Sequence, residues 1–275
     1  MISSINDFTL LKNGVKMPWL GLGTWQVEDG SEVINSVRWA IQNGYRHIDT
    51  AAAYYNEIGV GTAIKGSGIP REELFITTKV WNSDQGYDTT LRAFSLSRKK
   101  LGLDYVDLYL IHWPVRGKYR ETWKALEKIY KDGLTRAIGV SNFNIHHLKD
   151  VMADSEIIPM VNQVEFHPLL NQNELRAFCR ENGIQFEAWS PLMQGHFNIP
   201  VLSEIAKKHG KTPAQVLLRW DLQNEVVTIP KSTHEERIKE NKDIFDFELS
   251  KEEMDKIDGM DKGRRFGSDP ENFNF

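Results

Sequence analysis

Short apolar runs rich in β-branched and aromatic residues recur along the chain and alternate with longer stretches of helical period. The runs are Trp19–Trp25, Tyr45–Thr50, Leu74–Trp81, Tyr105–Trp113, Thr135–Asn142, Met160–Phe166, Gln185–Leu192 and Val226–Lys231. Amphipathic stretches between them include Glu32–Gln42, Thr89–Leu101, Tyr119–Tyr130, Gln172–Glu181 and Ala214–Leu222. Asn43-Gly44, Lys131-Asp132-Gly133 and Asn182-Gly183 stand where helix C-caps belong. Strand then helix, repeated eight times, predicts parallel pairing through right-handed crossovers. Strands as continuously apolar as Val106–Ile111 suit a sheet covered on both faces. Eight such units in about 250 residues fit an α/β fold of the closed (β/α)8 kind, the TIM barrel. An open doubly wound sheet is the alternative. Ahead of the first unit, Phe8–Leu11 and Val15–Met17 flank Lys12-Asn13-Gly14, a β-hairpin signature expected to cover the barrel's N-terminal end. One domain over residues 1–275 is expected.

Composition narrows the partners. With 40% hydrophobic and 26% charged residues and a net charge of −4, the chain is ordinary globular material without the basic footprint of a nucleic-acid binder. Arg98-Lys99-Lys100 and Lys207-Lys208 read as solvated helix faces. No apolar run approaches the ~18 residues of a membrane span, and no secretory leader pattern is seen, so a cytoplasmic location is expected. The one cysteine, Cys179, lies in a helical setting and reads as a packing residue.

The polar residues fall at one end of the strands. The second strand ends at Asp49-Thr50, the third at Lys79 and the fourth at His112. The fifth ends at Ser141-Asn142, the sixth carries Gln163, the seventh ends at Ser190 and the eighth at Lys231-Ser232. Closing a barrel gathers these positions around the C-terminal mouth, where active sites of this fold sit. Tyr54 follows on the loop leaving the second strand and can fold back over that mouth. A free tyrosine, with a pKa of about 10, is a poor proton donor at neutral pH. An ammonium beside it lowers that value. Lys79 is expected to supply the charge, Asp49 to hold Lys79, and His112 to offer a neutral N–H to a substrate oxygen. Together they would protonate a developing alkoxide. Singly, each has a structural reading: loop packing for Tyr54, an ion pair for Asp49 and Lys79, a hydrogen-bonded strand end for His112.

No serine elbow or paired cysteine and histidine provides a nucleophile. No metal is expected, because His146-His147 sits at a helix start and is not expected to turn both rings to one ion. Proton donation without a nucleophile fits carbonyl reduction, given a hydride carrier. No G-x-G-x-x-G opens a helix after the first strand, and Gly21-Leu22-Gly23 lies inside a strand, where close packing explains it. A phosphate site is expected instead beyond the eighth strand. There Ser232-Thr233-His234-Glu235 reads as a capping box, and Lys231 and Arg237 add charge that favours NADP over NAD. Trp189 would offer a stacking face to nicotinamide.

Several blocks resemble the aldo-keto reductase family across essentially the whole chain. They are Gly21-Leu22-Gly23-Thr24-Trp25, Asp49-Thr50-Ala51 through Tyr54, Asn56-Glu57 with Val60-Gly61, and Thr78-Lys79-Val80-Trp81. Asp107 through Pro114, Gly139 through Phe143, and Ile229-Pro230-Lys231-Ser232 with Arg237 and Asn241 complete the set. The resemblance implies a tetrad of Asp49, Tyr54, Lys79 and His112, with Tyr54 as general acid and pro-R hydride transfer from NADPH to an aldehyde or ketone. It implies that Ser141, Asn142 and Gln163 hold the carboxamide and that Ser232, Arg237, Glu240 and Asn241 bind the adenosine end, with Lys231 near the 2′-phosphate. Thr24, Trp25, Asp49, Trp189, Ser190, Leu192, Gln194 and Ile229 would complete the cofactor contacts. Glu187 through Gly195 looks like the bacterial branch that reduces glyoxals and diketo sugar acids, and a monomer is expected.

Trp189 departs from the tyrosine that many members carry. The loop Pro114–Lys118 and the tail after Gly267 are short, so a pocket open to many carbonyl compounds is expected. Its apolar wall would be Trp25, Tyr55, Trp81 and Trp113, with Tyr54 and His112 at its base. Two other functions compete: a non-catalytic NADPH-sensing subunit, and a glycosidase built on Glu165 and Glu187. The second would need those carboxylates to face each other across the mouth.

Overall fold

The computed structural model describes residues 2–275. The strands are β1 (Phe8–Leu10), β2 (Lys16–Pro18), β3 (Gly21–Gly23), β4 (His47–Asp49), β5 (Phe75–Val80), β6 (Val106–Ile111), β7 (Thr135–Ser141), β8 (Val161–Glu165), β9 (Gln185–Trp189) and β10 (Val227–Thr228). The helices are α1 (Ser31–Gln42), α2 (Glu57–Gly66), α3 (Tyr87–Leu101), α4 (Tyr119–Lys131), α5 (Ile145–Ala153), α6 (Asn173–Glu181), α7 (Pro200–His209), α8 (Pro213–Gln223), α9 (Glu235–Lys242) and α10 (Lys251–Asp258). Strands β3 to β10 pair in chain order, every pair parallel. Bridges Leu20↔Thr228 and Gly23↔Lys231 bring the last strand back to the first and close the (β/α)8 barrel.

The expected helix ends form for the expected reason. Gly44, Gly133 and Gly183 follow α1, α4 and α6 with φ of 93°, 72° and 69°, a region that a side chain disfavours. Two helices had no counterpart in the sequence reading: α7, inserted before α8, and α10. The first and last barrel strands are shorter than their apolar runs, because their flanks pair only through the isolated closing bridges. The hairpin β1–β2 lies where expected. Thr9 Oγ1 donates to Gln185 Oε1 at 2.9 Å and Asn13 Nδ2 to Arg136 O at 2.8 Å, sealing the ends from which β9 and β7 start.

Alternate strand residues point inward. They stack a polar layer of His47, Thr77 and Glu187 beneath one of Asp49, Lys79 and Gln163, all buried. Gly21 belongs to this packing, since a Cβ there would lie 2.7 Å from His47 Nδ1. In the helical ring, a Cβ on Gly61 of α2 would lie 2.1 Å from the backbone oxygen of Leu101, whereas one on Gly66 meets nothing within 4 Å. Gly61→Ala is therefore expected to destabilise the protein by about 1–3 kcal/mol, as overpacking does. Gly66→Ala should stabilise it by up to about 1 kcal/mol. Urea unfolding of the two variants checks the contrast; equal effects would refute it.

Candidate active site

At the C-terminal mouth Lys79 is fully buried, and its ammonium spends its hydrogens on three partners. Nζ donates to Asp49 Oδ1 at 2.6 Å, to Thr50 O at 3.0 Å and to Tyr54 Oη at 3.4 Å. Burial works against that charge, but Asp49, Tyr54 and Glu187 together more than offset it, and the Lys79 pKa lies above its ordinary value. Tyr54 rides a 3-10 turn, Ala52–Tyr54. That turn is braced by Asn56, whose Oδ1 accepts from Thr50 Oγ1 and whose Nδ2 donates to Thr24 O and Val27 O. Lys79 was expected to lower the Tyr54 pKa. Burial instead outweighs the Lys79 charge, and the phenol lies above its ordinary range, so it stays protonated at neutral pH.

His112 packs edge-on to Tyr54 and Trp81, with ring centroids 5.6 Å and 5.1 Å away. Burial, then Lys79, drives its pKa well below the usual value, so the ring is neutral. Its Nδ1 is buried without a partner, which leaves Nε2 to meet a ligand.

These groups open on a cleft of about 1350 Å³ that runs from Tyr54, Trp81 and His112 to Lys231, Ser232, Arg237, Glu240 and Asn241. That exceeds the roughly 300–1,000 Å³ of an ordinary small-molecule pocket and suits an elongated ligand. Trp25, Asp49, Tyr55, Trp113, Ser141, Asn142, Gln163, Trp189, Ser190, Leu192, Gln194 and Ile229 also line it. Thr24 does not: it is buried, with its hydroxyl donated to Asp49 O at 2.9 Å. Lys79 lies behind Tyr54 and Asp49.

Asn142 is held on every side. Its Nδ2 donates to His112 O and to Ser141 Oγ, and its Oδ1 accepts from Trp189 Nε1 at 2.9 Å. The tryptophan thus adds a tether as well as a wider face. Of the eight non-glycine residues with positive φ among those described, Gln26, Tyr55, Asn142, Ser190 and Gln194 line the cleft. Backbone strain concentrates where the site is built.

The expected capping box at Ser232 is not formed. α9 begins at Glu235 behind His234, which makes no side-chain cap, and Ser232 Oγ accepts from His234 N at 3.1 Å to close the preceding loop. The helix start still adjoins the cleft. Lys231 and Arg237 there form no ion pair among the described residues, which leaves two cations for an anionic ligand. Glu240 is fixed by Thr212, a cleft residue that sequence reading missed, whose Oγ1 donates to Glu240 Oε1 at 2.6 Å. Thr212 belongs to a distant helix cap that only folding brings near.

The pocket is not open at the top, contrary to expectation. Phe275 stacks on Trp81 with centroids 5.7 Å apart, and Phe275 and Phe273 both pack on Trp113. Asn82 Nδ2 donates to Phe275 O at 3.0 Å. A short tail suffices because its aromatic residues land directly on the tryptophans.

Nor are His146 and His147 kept from one point. They and Glu271 place one ligand atom each within 4.8 Å of one another, because the rings stack with centroids 3.9 Å apart. His147 Nδ1 nevertheless already accepts from Asn144 N as part of the α5 cap. Glu165 and Glu187 do not face each other across the mouth. Glu165 accepts backbone N–H groups from Phe266 and Gly267, and Glu187 lies beneath Asp49. Cys179 is buried and its thiol is pushed up to about 12, in keeping with packing. Among the described residues no helix is long and apolar enough to cross a membrane.

A parallel barrel whose C-terminal mouth joins a buried Lys–Asp–Tyr–His cluster to a long cleft is the architecture of a barrel enzyme with a two-ended ligand site. The chain belongs to the Aldo/keto reductase family, whose model matches residues 19–262. It is 63% identical over 276 residues to "Glyoxal reductase" of Bacillus subtilis (strain 168), covering 100% of both chains. Among solved structures it is similar to MGS-M4, an aldo-keto reductase from a Medee basin deep-sea metagenome library. The TM-score is 0.94 at 47% identity, with 97% of this chain and 100% of that one covered. The D53A mutant of Gox0644 in complex with NADPH superposes with a TM-score of 0.93 at 43% identity, covering 98% of each chain.

Lys79→Met is expected to leave Asp49 buried without its cation, at a cost of about 3–5 kcal/mol in urea unfolding at neutral pH. Adding Asp49→Asn should recover much of that loss. Additive losses in the double variant would show that the pair is not the unit that matters.

Proposed function

We propose that this chain is an NADPH-dependent reductase of small aldehydes, ketones and dicarbonyls, acting as a one-domain monomer in the cytoplasm. The observation that carries the reading is the convergence of the protonated Tyr54 hydroxyl and the neutral His112 ring on one end of the cleft, backed by Lys79 and Asp49. Family membership, the glyoxal reductase relative and the NADPH complex of a solved neighbour support it. One apolar cluster running from Leu11 to Ile257 supports the single domain.

The cleft fits a dinucleotide. Its far end offers a helix start and the unpaired Lys231 and Arg237 to a phosphorylated adenosine, with Ser232, Glu240 and Asn241 beside them. Its near end offers Trp189 as a stacking face and Ser141, Asn142 and Gln163 to a carboxamide. When bound, the nicotinamide supplies the hydride. His112 Nε2 orients the substrate carbonyl, and Tyr54 Oη gives its proton to the oxygen as negative charge grows there. Lys79 stabilises the phenolate left behind, and Asp49 keeps Lys79 charged and aimed. Trp25, Tyr55, Trp81 and Trp113, the last two covered by Phe275, make an aromatic wall suited to small carbonyl compounds.

Tyr54→Phe is expected to lower kcat for glyoxal reduction by about 10²–10⁴-fold, the usual worth of a general acid, with NADPH affinity unchanged. Wild-type turnover in that variant would remove Tyr54 from the role. Lys231→Ala should raise KM for NADPH far more than KM for NADH. Equal increases would contradict a 2′-phosphate contact.

A further inference from the structure

Glu187 stands at the centre of β9, fully buried, and takes no part in the reaction described above. An acid placed there costs several kcal/mol unless hydrogen bonds compensate. Its partner is Gln163, whose Nε2 donates one hydrogen to Asp49 Oδ2 at 2.8 Å and the other to Glu187 Oε2 at 3.0 Å. A primary amide has two N–H hydrogens and one acceptor oxygen. Both hydrogens of Gln163 are therefore spent on carboxyl oxygens, and its own oxygen is the polar end left over. Turned the other way, that oxygen would face the Asp49 carboxylate and the amide would lose both N–H bonds, so the orientation is enforced from below. Gln163 borders the cleft, and its amide oxygen accepts from no protein group.

The rest of Glu187's surroundings fit the same purpose. Its Oε1 lies 3.6 Å from His47 Nε2, which also meets Thr77 Oγ1 at 3.2 Å. Burial, and after it the charge of Asp49, push the Glu187 carboxyl up to about 8. Burial and Lys79 push His47 down to about 3. Both shifts favour the uncharged forms of the lower layer, beneath the Lys79–Asp49 pair. Gly21 leaves the room in which His47 sits.

We infer that Glu187 is a positioning residue: it locks the Gln163 amide with its oxygen toward the cleft, set to accept an N–H from the carboxamide of a nicotinamide. This rests on the cofactor reading above and extends it to a side chain that never reaches the cleft.

The test compares two cofactors in the intact protein by quenching of tryptophan fluorescence. One is NADPH; the other is the reduced 3-acetylpyridine analogue, whose acetyl group keeps the carbonyl but has no N–H to donate. Wild type is expected to prefer NADPH by about three- to tenfold, the worth of one hydrogen bond. Glu187→Leu should bring that ratio close to one. Glu187→Gln, whose side-chain oxygen can accept the same N–H, should restore most of it. Glu187→Met serves as a second apolar variant if the leucine one does not fold. A loss of affinity that is equal for both cofactors would mark Glu187 as merely structural and overturn the inference. So would a preference that survives the apolar substitution. Wild type that binds neither cofactor would overturn the cofactor reading itself, and the inference with it.

Discussion

The buried contact between Lys79 and Asp49 organises the mouth of the barrel. A charged amine in the interior is tolerated only with its hydrogens matched, and three oxygens from three sources match them here: Asp49, Thr50 and Tyr54. Those bonds tie β4, β5 and the loop after β4 into one unit. Asp49 carries the constraint onward through Gln163 to β8 and, beneath it, to Glu187 on β9. Tyr54 is thus held by the same network that would stabilise its conjugate base. The contacts that stabilise this part of the mouth are also the ones that hold Tyr54.

Around that centre, the cleft is shaped by backbone the chain does not adopt willingly. Tyr55, Asn142 and Ser190 have φ of 57°, 64° and 55°, each just beyond a strand end or turn that packing holds in place. The barrel supplies the rigidity. Asn142 shows how: its amide is bonded to His112 O, Ser141 Oγ and the Trp189 indole, so residues at the ends of β6, β7 and β9 fix one strained residue. The C-terminal tail closes the other side, with Phe275 flat against Trp81. That end of the cleft is therefore covered by the tail although the loop Pro114–Lys118 is short.

Much of this was legible in the sequence because barrel geometry is periodic. Apolar runs at regular spacing located the strands, and glycines after helices marked their ends. Residues at successive strand ends had to become neighbours once the barrel closed. That reasoning alone brings Asp49, Lys79, His112, Asn142 and Gln163 together. It failed where local pattern and long-range contact disagree. Ser232 to Glu235 has the composition of a capping box, yet the loop uses the serine hydroxyl two residues ahead of the helix cap. His146 and His147 are adjacent in sequence, and only stacking against each other turns both toward Glu271.

The amino-acid sequence by itself determined the barrel, its hairpin plug, and which titratable residues would meet at which end. These follow from period, turn chemistry and strand order, all of which are local or repeat along the chain. The tertiary structure alone decided the direction in which the Tyr54 pKa moves, because burial there outweighs the neighbouring ammonium. It alone decided the closure by the tail and the coupling of Glu187 to Asp49 through one amide. Those depend on distances between residues far apart in the chain, which no pattern along it encodes.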